Sequence, residues 1–260
     1  MRPVSYFIDS FGLLDKMAGR DGGDTCQREG MFWSLLKMMK TNDTTKYTRT
    51  KENEISLSEE HYLKVMERLH VAPGVFVRHP NPKWDTSDWD RMSRDQLQPM
   101  IIAAGFWSRK ELNKIARGHL GRGFLFANNT RKNGANKFTH GKDIGGEVRD
   151  YNWKFPDPTA FDIWGNFIRA YNSWLLYPLL FLFDLELLGG SIIWRFFPKH
   201  NITMNHTLSL MQARHRMPTP ISWLSEKIMS FDRLIKLLGQ HFRDFGDDME
   251  FFEQMFKDAK

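Results

Sequence analysis

An all-α fold, one compact domain of antiparallel helix pairs spanning residues 1–260, is what this sequence predicts. Three features predict it. Apolar residues recur at helical spacing through most of the chain, Ser-x-x-Glu/Gln patterns stand before several of those stretches, and alternating strand patterns are nearly absent. With 260 residues, 41% apolar and 14% aromatic, there is material for a continuous core, and the same composition excludes a disordered tail, a collagen-like fibre and a disulfide scaffold. The lone Cys26 leaves the fold to packing and is compatible with a reducing compartment.

The elements follow in order. Residues 25–40 put Met31, Leu35, Met38 and Met39 on a helical period behind the breaker Asp21-Gly22-Gly23-Asp24. Ser56 with Glu59, Ser93 with Gln96 and Ser108 with Glu111 read as capping boxes; in the helix after Ser93, Pro99 predicts a kink or a late start. GVFVRH at 74–79 is the best strand candidate. Further helices are expected over 159–170, from Pro178 to Leu188 with a break at Gly189-Gly190, and over about 203–215, 221–242 and 247–259, eight or nine in all. Two long loops interrupt them, 72–92 with its prolines and tryptophans, and 121–158 with six Gly and eleven charged side chains. Loops of this length are where function concentrates.

The most apolar run, Trp174 to Phe183, is too short to span a bilayer. Extending it to Ile193 takes in Asp184 and Glu186, each costing roughly 2.5–3.5 kcal/mol near the centre of an isolated span. The expectation is therefore a buried helix and no transmembrane segment, with a helix lying on a membrane surface as the alternative. Asp184 and Glu186 lie on different helix faces, so a buried ion pair with Arg169 or Arg195 is expected rather than a carboxylate pair. The opening residues place Asp9, Ser10 and Asp15 where a signal peptide needs an apolar stretch, so no signal peptide is read and a cytoplasmic or virion location is expected.

Two constellations carry possible chemistry. In Asp24-Thr-Cys-Gln-Arg28, the guanidinium stands one helical turn from the carboxylate, either as a capped ion pair or as a carboxylate held ionised for catalysis. In Arg78-His79-Pro80 through Trp89-Asp90 to Arg94-Asp95, tryptophans alternate with acids and guanidinium groups. This mixture suits sugars, because an indole stacks on sugar C–H faces while charged groups take the hydroxyls. The competing reading is that the tryptophans anchor a loop. The His200 to Arg216 cluster lacks zinc-ligand spacing, so no metal is assigned; Asp21, Asp24 and Asp90 would suit Ca²⁺ or Mg²⁺ only if they converged, and no cofactor is required.

No Walker A loop, dinucleotide fingerprint, GxSxG elbow, kinase set or zinc signature occurs. The acid–Arg motif at 21–29 and the Trp-rich stretch at 78–96 loosely resemble carbohydrate-active enzymes built on an (α/α) toroid, and 260 residues would make only a partial one. That resemblance implies a polysaccharide-cleaving enzyme. Asp24 and Asp95 would then act as acid and base or nucleophile, with Arg28, Arg78, Trp89, Asp90 and Arg94 binding a neutral or acidic polysaccharide. On a uronate polymer, His79 would instead abstract the proton in a lyase reaction, with Arg78 neutralising the developing charge.

The alternative is a non-enzymatic structural or adaptor subunit of a larger assembly, a virion among the candidates, or an oligomer. Between residues 109 and 142 nine Lys or Arg stand against one acid. Arg131, Lys132 and Lys137 in that stretch are the candidate contacts to a polyanion, nucleic acid included.

Overall fold

Ten α-helices build the described part of the chain, a computed structural model that describes residues 2–15, 25–40, 44–49, 57–77, 79–81, 94–120, 161–197, 200–244 and 250–260. With three short 3-10 turns they hold 78% of those residues, so the fold is all-α. Helices α1 (Thr25–Met38), α3 (Arg94–Trp107) and α7 (His200–His215) form its interior. Around them stand α2 (Glu59–Leu69), α4 (Arg109–Leu120), α5 (Phe161–Tyr171), α6 (Tyr177–Phe196), α8 (Pro220–Ile228), α9 (Phe231–Asp244) and α10 (Glu250–Ala259).

The inner helices are buried along most of their described length, which explains why none shows a one-sided apolar stripe. Helices α1 and α3 approach most closely at Gly30. A Cβ there would lie 2.7 Å from Pro99, so only glycine fits this crossing. Ser34 Oγ donates to the Pro99 carbonyl at 3.1 Å, and Trp107 Nε1 to the Trp33 carbonyl at 2.7 Å. Pro99 stands inside α3, in its second turn, and forfeits the backbone bond to Asp95 without ending the helix.

Helix α7 is buried from Met204 to Ala213 yet carries Asn205, His206, Thr207, Ser209 and Gln212. Buried polar groups need partners. Gln98 Nε2 donates to the Asn205 carbonyl at 3.3 Å, Asn166 Nδ2 to Ser209 Oγ at 3.2 Å and Gln212 Nε2 to the Asn166 carbonyl at 3.1 Å. These bonds tie α3 and α5 to α7. Helix α10 packs on α1 and on the 3-10 turn Val4–Phe7, with Phe7 and Phe251 ring centroids 5.1 Å apart.

Several local expectations change. The cap of α2 is Ser58, whose side chain accepts the His61 N–H at 3.2 Å, two residues after the Ser56 read from the sequence. Ser108 does cap α4, accepting the Glu111 N–H at 3.4 Å. The start of the 72–92 loop is a hairpin, β1 (His70–Ala72) against β2 (Val75–Phe76), turned at Gly74 with φ +70°. The 221–242 helix is two, separated at Met229 and Ser230, with Thr219 and Ser222 forming a reciprocal capping box ahead of Pro220.

Gly189-Gly190 does not break α6, which runs on to Phe196. A Cβ at Gly190 would meet the His206 ring at 3.1 Å, so this glycine serves a helix crossing rather than a turn. The loop expected at 121–158 lies outside the described residues.

Candidate functional site

Of the residues nominated from sequence, Asp24, Arg78, Trp89, Asp90, Arg131, Lys132 and Lys137 lie outside the described residues. For Arg94 and Asp95 only the backbone is described, in the first turn of α3. The Asp24–Asp95 separation, which decides between inversion and retention, therefore falls outside the described side chains.

His79 and Arg28 are described, and both are buried. His79 Nε2 donates to Asp9 Oδ2 at 2.6 Å while its Nδ1 accepts the Asn81 N–H at 3.0 Å, so the ring is held as the Nε2–H tautomer with both nitrogens engaged. The other Asp9 oxygen accepts the N–H groups of Phe11 and Leu13. This pair straps the first turn of the chain to the segment following β2. Arg28 sits inside α1, with Glu29 beside it.

Glu29 anchors a network that no local sequence pattern announced. Arg49 donates to both of its oxygens, at 2.7 and 2.8 Å, and to the Gly12 carbonyl at 2.7 Å. The Leu14 N–H and Trp33 Nε1 complete the carboxylate's shell. A second network joins α5, α6 and α8. Arg169 Nη2 donates to both Asp184 oxygens at 2.8 and 2.7 Å, and the Thr219 hydroxyl adds a third bond.

Three histidines are pushed away from protonation, chiefly by burial. His206 falls to about 3 in contact with Ser191, His61 to about 4 with the nearby cations of Arg49, Lys64 and Arg68 contributing, and His70 is lowered despite its bond to Glu111. Among the described residues no group of three or more His, Cys, Asp or Glu could hold a metal ion. These buried charges are bonded to one another in the interior.

The outstanding surface feature is apolar. Of sixteen large hydrophobic side chains exposed among the described residues, thirteen belong to the stretch from Trp174 to Phe197 or to Trp223 and Leu224 of α8, so they form one face rather than scattered exposures. The buried helix expected over this run is thus corrected. Five residues of α6 are buried, Leu180, Asp184, Leu187, Ser191 and Trp194, at intervals of four and three that trace a single seam. Two of those five are polar, while the outward positions hold Leu175 at 89% exposure, Phe196 at 70% and the leucines and isoleucines between them.

Helix α6 therefore turns its ion pair toward the protein and most of its apolar residues outward. The sequence carried one signal for this. Asp184 and Ser191 lie seven residues apart on the same seam, and a polar seam on an otherwise apolar helix marks the side turned toward the protein.

An apolar groove of about 520 Å³ continues the face toward α4 and α5, with Trp164, Phe167, Leu176, Leu179 and Phe183 on its walls. Arg109 stands at its rim over the Tyr171 ring, 4.0 Å from the centroid. At the far end of α6, Arg195 is exposed and its carbonyl accepts Arg233 Nη2 at 2.7 Å, while on α8 Lys227 lies over the Trp223 ring. Trp174–Phe196 is the one stretch among the described residues long and apolar enough to cross a membrane by length and composition. Comparison of the chain with protein-family models, with curated proteins and with solved structures finds no match.

Proposed function

We propose that this protein is a non-enzymatic structural or adaptor subunit that attaches to a larger assembly through the apolar face of α6 and α8. The single observation that carries this reading is the thirteen clustered hydrophobic side chains turned to solvent. At roughly 80 Å² offered by each, they make on the order of 1,000 Å², beyond the few hundred Å² that monomers ordinarily expose. The polysaccharide-cleaving alternative rests on side chains outside the described residues and on His79, whose ring nitrogens are engaged in the interior, so the described surface favours docking.

Light scattering on the full chain tests the proposal, comparing the native protein with Leu182→Glu/Ile193→Glu. Without its partner the native protein is expected to cluster non-specifically in plain buffer and to disperse in mild detergent, while the variant stays monomeric with an unchanged far-UV spectrum. A native protein that is a clean monomer without detergent, and binds no more of an apolar fluorescent dye than the variant, would overturn the reading.

A further inference from the structure

The partner of this face follows from what it offers and what it lacks. From Leu175 to Ile193 the exposed positions are all apolar, and the one acid on the outer side of α6, Glu186, is half-buried. Protein interfaces carry about one hydrogen bond per 100–200 Å², and a face of this size would need several polar groups to meet a protein. A hydrocarbon layer requires none.

The ends of the face carry positive charge. Arg109 stands at the groove beside the first turn of α6, Arg195 and Arg233 at its last turn, and Lys227 on α8. Between residues 169 and 233 seven Lys or Arg stand against four Asp or Glu, and two of those acids, Asp184 and Glu226, are bonded to Arg169 and Arg214. A second copy would bring like charge to this rim, whereas an anionic headgroup layer complements it. The exposed indoles of Trp174 and Trp223 add side chains suited to the boundary between headgroups and acyl chains.

We propose that the α6–α8 face seats in the surface of an anionic phospholipid bilayer, with α6 lying in the membrane plane; this rests on the docking reading above and names its partner. Helix α6 is held along its length by the seam from Leu180 to Trp194, which presents its flank to the lipid. Leu182, Ile193, Phe196 and Trp223 enter the acyl boundary, to a depth of about 5–10 Å, and the rim cations meet phosphates.

Flotation of the full chain with vesicles tests this, using phosphatidylcholine alone and phosphatidylcholine mixed with phosphatidylglycerol, at low and high salt. The native protein is expected to float with the mixed vesicles, less at high salt. Leu182→Glu/Ile193→Glu is expected to lower binding to both vesicle types at least roughly tenfold, since a carboxylate is costly in hydrocarbon. Arg195→Glu/Lys227→Glu is expected to lower it several-fold on mixed vesicles alone. These positions are exposed, so melting temperatures stay near the native value and a folding defect is detected separately.

Native protein left in the vesicle-free fraction with both lipids, or charge reversal without effect on mixed vesicles, overturns the proposal. If light scattering still separates native from variant in the first case, the docking face stands and its occupant is a protein surface.

Discussion

Removing the Asp184 carboxylate is the sharpest test of how α6 is held. Arg169 is 1% exposed and spends two hydrogen bonds on Asp184, at 2.8 and 2.7 Å, with the Thr219 hydroxyl adding a third. In Asp184→Ala the guanidinium stays buried with its counter-charge gone. Breaking a buried pair from one side costs about 3–5 kcal/mol, far more than a surface ion pair contributes. For a chain of this size each kcal/mol moves the melting temperature by about 2–4 °C, so a fall of roughly 6–20 °C is expected by far-UV circular dichroism. Replacing both partners, Asp184→Leu with Arg169→Met, removes the stranded charge and is expected to return stability to within about 1 kcal/mol of native. The cycle of native, Asp184→Leu, Arg169→Met and the double in urea then gives a coupling above about 2 kcal/mol. A single variant within about 1 kcal/mol of native, or a double no better than the singles, refutes the argument that this pair fastens α6 to α5 and α8.

Two further perturbations follow. Gly30→Ala places a Cβ 2.7 Å from Pro99 and should lower stability by about 1–3 kcal/mol despite the better helix propensity of Ala, whereas at Gly189, where a Cβ meets nothing within 4 Å, the same change should stabilise by up to about 1 kcal/mol; equal urea midpoints for the two would deny the close α1–α3 crossing. His206 is held neutral when folded, with its pKa lowered to about 3, so the unfolded chain takes up the proton first and stability falls as pH drops from about 6.5 toward 3, by at most about 1.4 kcal/mol per pH unit. Melting temperatures across that window should fall more steeply for the native protein than for His206→Gln, and parallel profiles would remove His206 as the source.

The sequence disclosed what depends on neighbours along the chain and concealed what depends on neighbours across it. The Ser108 cap of α4 was legible because capping is decided within one turn. The sequence pairs Asp184 with Arg169 or Arg195 because a buried carboxylate on an apolar helix demands a cation, and Arg169 is the one that answers. By contrast Glu29 with Arg49 and Asp9 with His79 join segments whose spacing has no period, so nothing in the local pattern pointed to them. Gly189-Gly190 reads as a helix break by propensity alone, and the ring of His206 beside Gly190 is invisible without the fold. The outward face of α6 is only partly legible, because the seven-residue spacing of Asp184 and Ser191 marks the side turned to the protein but does not say what covers the apolar side. Of the nominated site, the described side chains are those of Arg28 and His79, and both proved interior.

The meeting of α10 with the first turn of the chain has a consequence for synthesis. Phe251 reaches Phe7, the Lys40 N–H reaches the Asp258 carbonyl, and Lys46 pairs with Asp258 at 2.8 Å. These contacts join residues more than 200 positions apart in the chain, and such long-range closure is slow relative to local helix formation. While the ribosome is still adding residues up to Phe256, the apolar flank of α1 that α10 covers has no partner. A chain halted before α10 is therefore expected to leave that flank open to other apolar surfaces until α10 arrives.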